Sequence, residues 1–123
     1  MKQEDKDLLL KDLSARVPYG VKMSFRSNRT HMIKSIHPSG LIITRETVTN
    51  AITTTDVENV KPYLFPMSSV TEEQLKSFDG VFLPNGHVVA SDFGFDYLNS
   101  IHVDYRGLIP MGLAIDATGK NIY

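Results

Sequence analysis

A chain of 123 residues, 41% hydrophobic and 22% charged, suits one globular domain. The absence of cysteine excludes disulfides and thiolate metal sites, and a formal net charge of -1 gives no global attraction to nucleic acid or to a membrane surface. No apolar run approaches the ~20 residues that span a bilayer, and Glu4, Asp5 and Asp7 stand where a secretory leader needs basic residues, so a cytoplasmic protein is expected.

Residues 3–17 read as a helix. Leu9, Leu10, Leu13 and Val17 recur at spacings of three and four and fall on one stripe. Acidic residues crowd the first turn, Arg16 sits in the last, and Pro18 and Gly20 end the element. From Val21 the period changes to two. Val21, Met23 and Phe25 share one face, "SNR" at 27–29 is a turn, and "THMIKSI" resumes the strand with Met32 and Ile36 inward. "HPSG" at 37–40 is a second turn, "LIITR" a third strand, and the Thr-, Val- and Ile-rich stretch 46–57 a fourth strand with its connection.

"VENVKPYLFP" at 57–66 reads as an apolar 3₁₀-like turn, because Pro62 restricts Lys61 and Pro66 stops a helix. Strands followed by such a turn match the pattern of a small SH3-like barrel, in which Tyr63, Leu64 and Phe65 would plug one end. Thr71 and Gln74 form a capping box for a helix that Gly80 closes. Asn85-Gly86 predicts a type I′ hairpin, and Asp92 a cap for a last helix lined by Phe95, Leu98 and Ile101 or His102.

The fold class expected is therefore α+β: a small SH3-like β-barrel or a curled antiparallel meander, with an N-terminal helix and a C-terminal α/β addition. One domain covers 1–123. Within it a helix occupies 1–20, the meander or barrel 21–67, a helix–hairpin–helix–strap unit 68–115, and a looser end 116–123. The strap is argued from Leu108, Ile109, Met111, Leu113, Ala114 and Ile115, which are too apolar for a solvated tail.

Chemistry is harder to find. His31, His37, His87 and His102 form no metal-binding pair at helical spacing, and no cofactor or metal is expected. Asp92 and Asp96, four apart and followed by Asp104, could serve general acid–base work, a reading that a cleft gathering Asp92, Asp96, His87 and His102 would strengthen. No nucleophile elbow or phosphate-binding glycine loop occurs, so catalytic residues are not assigned. Residues 21–46 hold Lys22, Arg26, Arg29, Lys34 and Arg45 against Glu46 alone, a basic set that could bind nucleic acid if it shared a face. Tyr63, Phe65, Tyr105 and Arg106 are the residues expected at a protein partner, since Tyr and Arg are enriched at interface hot spots.

Three blocks, "LLLKDLSARVPYGVK" at 8–22, "VKPYLFPMSSVTEEQ" at 60–74 and "DYRGLIPMGLAIDATGKNIY" at 104–123, together resemble an uncharacterised family of small proteins from gut Bacteroidales bacteria and their phages and mobile elements. The resemblance implies a bacterial or phage origin and a single domain, and brings no activity, cofactor or catalytic residue with it. The leading expectation is a non-enzymatic protein-interaction module whose partner is a protein. The alternatives are a nucleic-acid-binding small barrel that uses strands 21–46, and a small-molecule enzyme or binder.

Overall fold

Helix α1 runs from Gln3 to Arg16, with Glu4 and Asp5 in its first turn and Arg16 in its last. A 3₁₀ turn, Val17–Tyr19, comes next, and Gly20 stops the chain in the left-handed region at a φ of 70°. The computed structural model describes residues 1–25 and 29–123; Arg26, and the Ser27–Asn28 part of the expected turn, lie outside the described residues.

Four strands then form an antiparallel meander: β1 (Lys22–Phe25), β2 (Arg29–Ile36), β3 (Leu41–Glu46) and β4 (Ile52–Asp56). Their alternation gives the sheet an inner face, which buries Met23, Phe25, Ile33 and Ile42, and an outer face that carries Lys22, Met32, Leu41, Ile43, Arg45 and Ile52. Met32, expected inward, faces outward. His31 and Ile33 take the buried positions, and the register then slips between Ile33 and Ser35. Lys34 is the additional residue of this bulge, and the slip returns Ile36 to the core.

The expected 3₁₀ turn is real but shorter and earlier, at Val57–Asn59. Beyond it the chain forms not a plug but a seven-residue strand, β5 (Val60–Pro66), which pairs antiparallel with β1 through Val60, Lys61 and Pro62. Two short strands, β8 (Val103–Asp104) and β9 (Ile115–Asp116), then pair parallel with β5. Local pattern fails here because β5 has partners distant in sequence on both flanks, and those fix its extended form despite two prolines.

The expected barrel is not formed. The sheet order is β4-β3-β2-β1-β5-β8, with β9 also on β5, and among the described residues β4 pairs with β3 alone. Closure would need a last strand on β4, whereas the later strands go to β5. The inner face is closed by α1 instead: Leu9 and Leu13 pack with Met23, Ile33, Ile42, Val60 and Leu64, joined by Leu108, Leu113 and Ala114 from the strap.

A smaller second core surrounds Phe78, Leu98 and Val103. It is built by Met67 and Val70, by the hairpin β6 (Gly80–Phe82) and β7 (Val88–Ala90), and by α3 (Asp92–Ser100), while α2 (Glu72–Ser77) buries none of its own residues and delivers Phe78 at its end. The capping box of Thr71 and Gln74 is present in both directions. Three local expectations change. Gly80 opens β6 rather than closing α2. The α3 cap is Ser91, whose hydroxyl accepts from the Gly94 amide at 3.1 Å, and Asp92 is the first helical residue. The hairpin turn is not type I′, because Asn85 keeps a negative φ and only Gly86, at 85°, is positive. Gly86 donates to the Leu83 carbonyl and Leu83 to the His87 carbonyl, which makes a three-residue loop of a turn plus a left-handed glycine. Pro84 explains the choice, since its ring holds the first loop residue at negative φ.

Candidate functional site

Tyr105 and Arg106 sit above a buried charge cluster that links α1 to the strap. Asp12 and Arg16 are both fully buried and form a two-pronged ion pair, Nε to Oδ2 at 2.8 Å and Nη2 to Oδ1 at 3.1 Å. Arg16 Nη2 also donates to the Val103 carbonyl at 2.7 Å. The guanidinium of Arg106 joins the same carboxylate at 3.2 Å and donates to the Tyr105 hydroxyl, which itself donates to Asn99 Oδ1. Both guanidinium groups lie over the Tyr105 ring, at 5.3 and 4.8 Å. Arg16 Nε and Nη2 and the Asp12 carboxylate bond within this cluster, which is how a buried charge set becomes tolerable, while Arg16 Nη1 is buried without a hydrogen-bond partner among the described residues. The α1 stripe that carries Leu9 and Leu13 therefore also carries Asp12 and Arg16. A spacing of four between opposite charges on an apolar stripe is the sequence signal that could have found the pair.

Beside this cluster a cleft of about 510 Å³ is lined by Lys11, Asp92, Phe95, Asp96, Asn99, Tyr105 and Arg106. It brings two of the candidate carboxylates together with two cations. His87 lines the neighbouring depression with Tyr105 and Arg106, and His102 lines neither. Asp92, Asp96, His87 and His102 are therefore not gathered in one cleft. Among the described residues no three His, Cys, Asp or Glu side chains are placed to hold a metal ion.

Tyr63 and Phe65 lie elsewhere, on the outward side of β5. Tyr63 is 8% exposed, which removes it as a contact residue. Phe65 is half-buried, meets the Tyr123 ring at 5.9 Å between centroids, and lines a separate depression with Ile101, Val103 and Thr118. The four residues expected at a partner surface therefore divide between two places with no lining residue in common.

Residues 116–123, expected to be looser, are tied to the sheet. The Ala117 amide donates to the Leu64 carbonyl. The Tyr123 hydroxyl accepts from the Lys22 amide at 2.9 Å and donates to the Tyr63 carbonyl at 2.8 Å. Because Met23 pairs with Pro62, this hydroxyl stands where the next rung between β1 and β5 would be. Its ring stacks flat on His102 at 3.6 Å. Burial, helped by the nearby charges of Arg16 and Lys22, pushes the His102 imidazole down to about 4. Burial pushes the Tyr123 phenol up to about 12, so its hydroxyl keeps its proton. Sequence reasoning misses this anchor because a single aromatic residue carries no period.

The described basic residues do not form one patch. Lys22 and Arg45 share a row of the outer face with Met32 between them, but the Lys22 ammonium already donates to the Ile122 carbonyl. Arg29 pairs with Glu46 at 3.5 Å on the inner-face side, and Lys34 projects from the bulge.

The outer face therefore has two halves. Over β1 and β5 it is covered by the segment that ends at Tyr123. Over β3 and β4 it is bare. There Leu41, Ile43 and Ile52 are 47%, 38% and 61% exposed, and Leu41 and Ile43 line a shallow groove of about 260 Å³ with Ser35, Ile36, His37 and Thr54. Sequence pattern singles out neither these residues nor the edge beside them, because strand order decides which apolar residues lack a neighbour. Among the described residues no helix is long and apolar enough to cross a membrane. No family model, no curated protein and no solved structure matches this chain.

Proposed function

We propose that this chain is a non-enzymatic protein-interaction module of a bacterial or phage system, acting in the cytoplasm, and that it docks a protein on the bare half of the outer sheet face. The observation that carries this reading is the set of exposed β-branched and leucine side chains, Leu41, Ile43 and Ile52, on a face whose other half the chain covers itself. Apolar surface of this kind, next to polar residues such as Arg45 and Asp56, is the ordinary composition of a docking site. Tyr105 and Arg106 support the surface indirectly, by fixing the strap and α1 under the sheet.

The test is a pair of substitutions, Leu41→Lys with Ile43→Lys, in the full chain. The expected result is an unchanged melting temperature together with loss of the proteins that the parent chain captures by cross-linking in bacterial extract. Capture that persists in the double variant removes this face from the interaction. Nucleic-acid binding is favoured by one observation, the Lys22–Met32–Arg45 row, and makes a different demand: binding to single-stranded oligonucleotide that falls steeply with salt.

A further inference from the structure

We infer that the free edge of β4 is an antiparallel self-pairing site, and that its occupant is a second copy of this chain. The inference rests on the protein-interaction reading and names the partner at the margin of the same face.

The direction of the main-chain groups is set by the ladder. Gly40 accepts from Val57 and Ala51 accepts from Glu46, so residues of odd number on this strand bond to β3. Thr53 and Thr55 are then turned inward to the ladder, whereas the N–H and C=O of Ile52, Thr54 and Asp56 point away from it. Among the described residues no hydrogen bond is made to the main chain of Ile52 or Thr54 from outside the ladder. β4 ends the sheet, and it contains no proline, no lysine and no bulge; its one charged residue, Asp56, lies at its end and meets Lys6.

The outward set is symmetric about Thr54. When two copies meet antiparallel on this residue, Thr54 faces Thr54, and Ile52 faces Asp56 in both directions. Each of these residues then offers and receives a main-chain bond, which is the isologous arrangement that a two-fold axis requires. Side chains agree with the register. Arg45 lies opposite Ile52 within one copy, so the next position in the same row is the Asp56 of the other copy. The Asp56 carboxylate already accepts from the Glu58 amide and meets Lys6 of its own copy at 3.6 Å, so this row adds no new ion pair, but no like charges are opposed across the axis. The row of Ile43 and Thr54 continues into the same row of the second copy, which extends the exposed apolar band across the junction. One paired edge of five residues is smaller than the ~1,200–2,000 Å² of a standard interface, so the dimer is expected to be weak, with a Kd between ~10 µM and ~1 mM.

Thr54→Pro is the selective test. Proline removes the Thr54 N–H, which the monomer does not use in its ladder, and its fixed φ and its restriction of Thr53 to extended geometry are tolerated on an edge strand. Sedimentation equilibrium of the parent chain should show the weight-average mass rising from that of a 13.8 kDa monomer toward twice that value as concentration approaches ~1 mM. The proline variant should stay at monomer mass with the melting temperature of the dilute parent. Amide exchange supplies a check that needs no variant: Ile52, Thr54 and Asp56 should gain protection with concentration, while Thr53 and Thr55 are protected throughout. A parent that is monomeric at ~1 mM, or whose mass rises without new protection at Ile52, Thr54 and Asp56, overturns the inference. A monomer that still loses its captured protein on Leu41→Lys with Ile43→Lys overturns the dimer and leaves the interaction reading standing.

Discussion

The covered and bare halves of the outer sheet face are made of comparable strands, yet only one is closed by its own chain. Over β1 and β5, Tyr123 meets Lys22 and Phe65, replaces a rung with its hydroxyl, and stacks on His102. Over β3 and β4, Leu41, Ile43 and Ile52 meet no such cover. The difference is one of stability against association. Substitutions on the covered half should register in folding, and substitutions on the bare half should register in binding.

Removing residues 117–123 should break the contrast most strongly. It uncovers Tyr63 and His102 and takes away the Ala117 and Tyr123 hydrogen bonds, for an expected loss of about 4 kcal/mol in urea denaturation. A truncated chain within 1 kcal/mol of the parent would show that the cover carries no stability. Acid should act next. The folded state holds His102 neutral down to about 4, whereas an unfolded histidine takes its proton near 6.5. The unfolded chain therefore binds more protons in that window. The contribution is complete above about pH 6.5 and is lost as pH falls toward 4, on the order of 2 kcal/mol after allowance for partial solvation. His102→Asn keeps a residue that tolerates the φ of 63° and should flatten the stability profile between those limits. An unchanged profile in that variant assigns the titration to another group.

Tyr123→Phe keeps the ring and deletes the bridging hydroxyl, leaving the Lys22 amide and the Tyr63 carbonyl without it. The expected cost is about 1–2 kcal/mol, read by urea midpoint at unchanged slope. The smallest effect belongs to the bare half. Ile52→Lys should change stability by less than about 0.5 kcal/mol, since the side chain is already exposed. A loss above 1 kcal/mol would mean that Ile52 is packed in solution and that the halves do not differ.

Much of the fold is legible where the signal is local. The α1 stripe of Leu9 and Leu13, the Thr71–Gln74 capping box, the meander over 22–56 and the apolar strap with Leu108 and Leu113 all announce themselves within a few residues. Features that depend on distant partners are not legible. Pro62 and Pro66 argue against a strand, and only pairing with β1, β8 and β9 makes one there. The bulge at Lys34 reverses the alternation on which any one-period reading depends. Closure into a barrel, and with it the free β4 edge, is a matter of strand order that side-chain pattern does not encode. The expected partner residues suffer from the same limit: Tyr63 reads either as an interior plug or as a partner contact and is buried, while Ile43 and Ile52 read as ordinary strand residues and are exposed.

The shared carboxylate of Asp12 has a consequence in time. Its bond to Arg16 spans four residues and can form as soon as α1 does, whereas its bond to Arg106 spans 94. A ribosome delivers the helix long before the strap, so for much of synthesis the Asp12–Arg16 pair lacks the Val103 carbonyl and Arg106. Contacts of such long separation slow the search for the native state. Leu9 and Leu13, by contrast, find Met23, Ile33 and Ile42 on the earlier meander, so the apolar and the charged faces of one helix acquire their partners from different stages of synthesis.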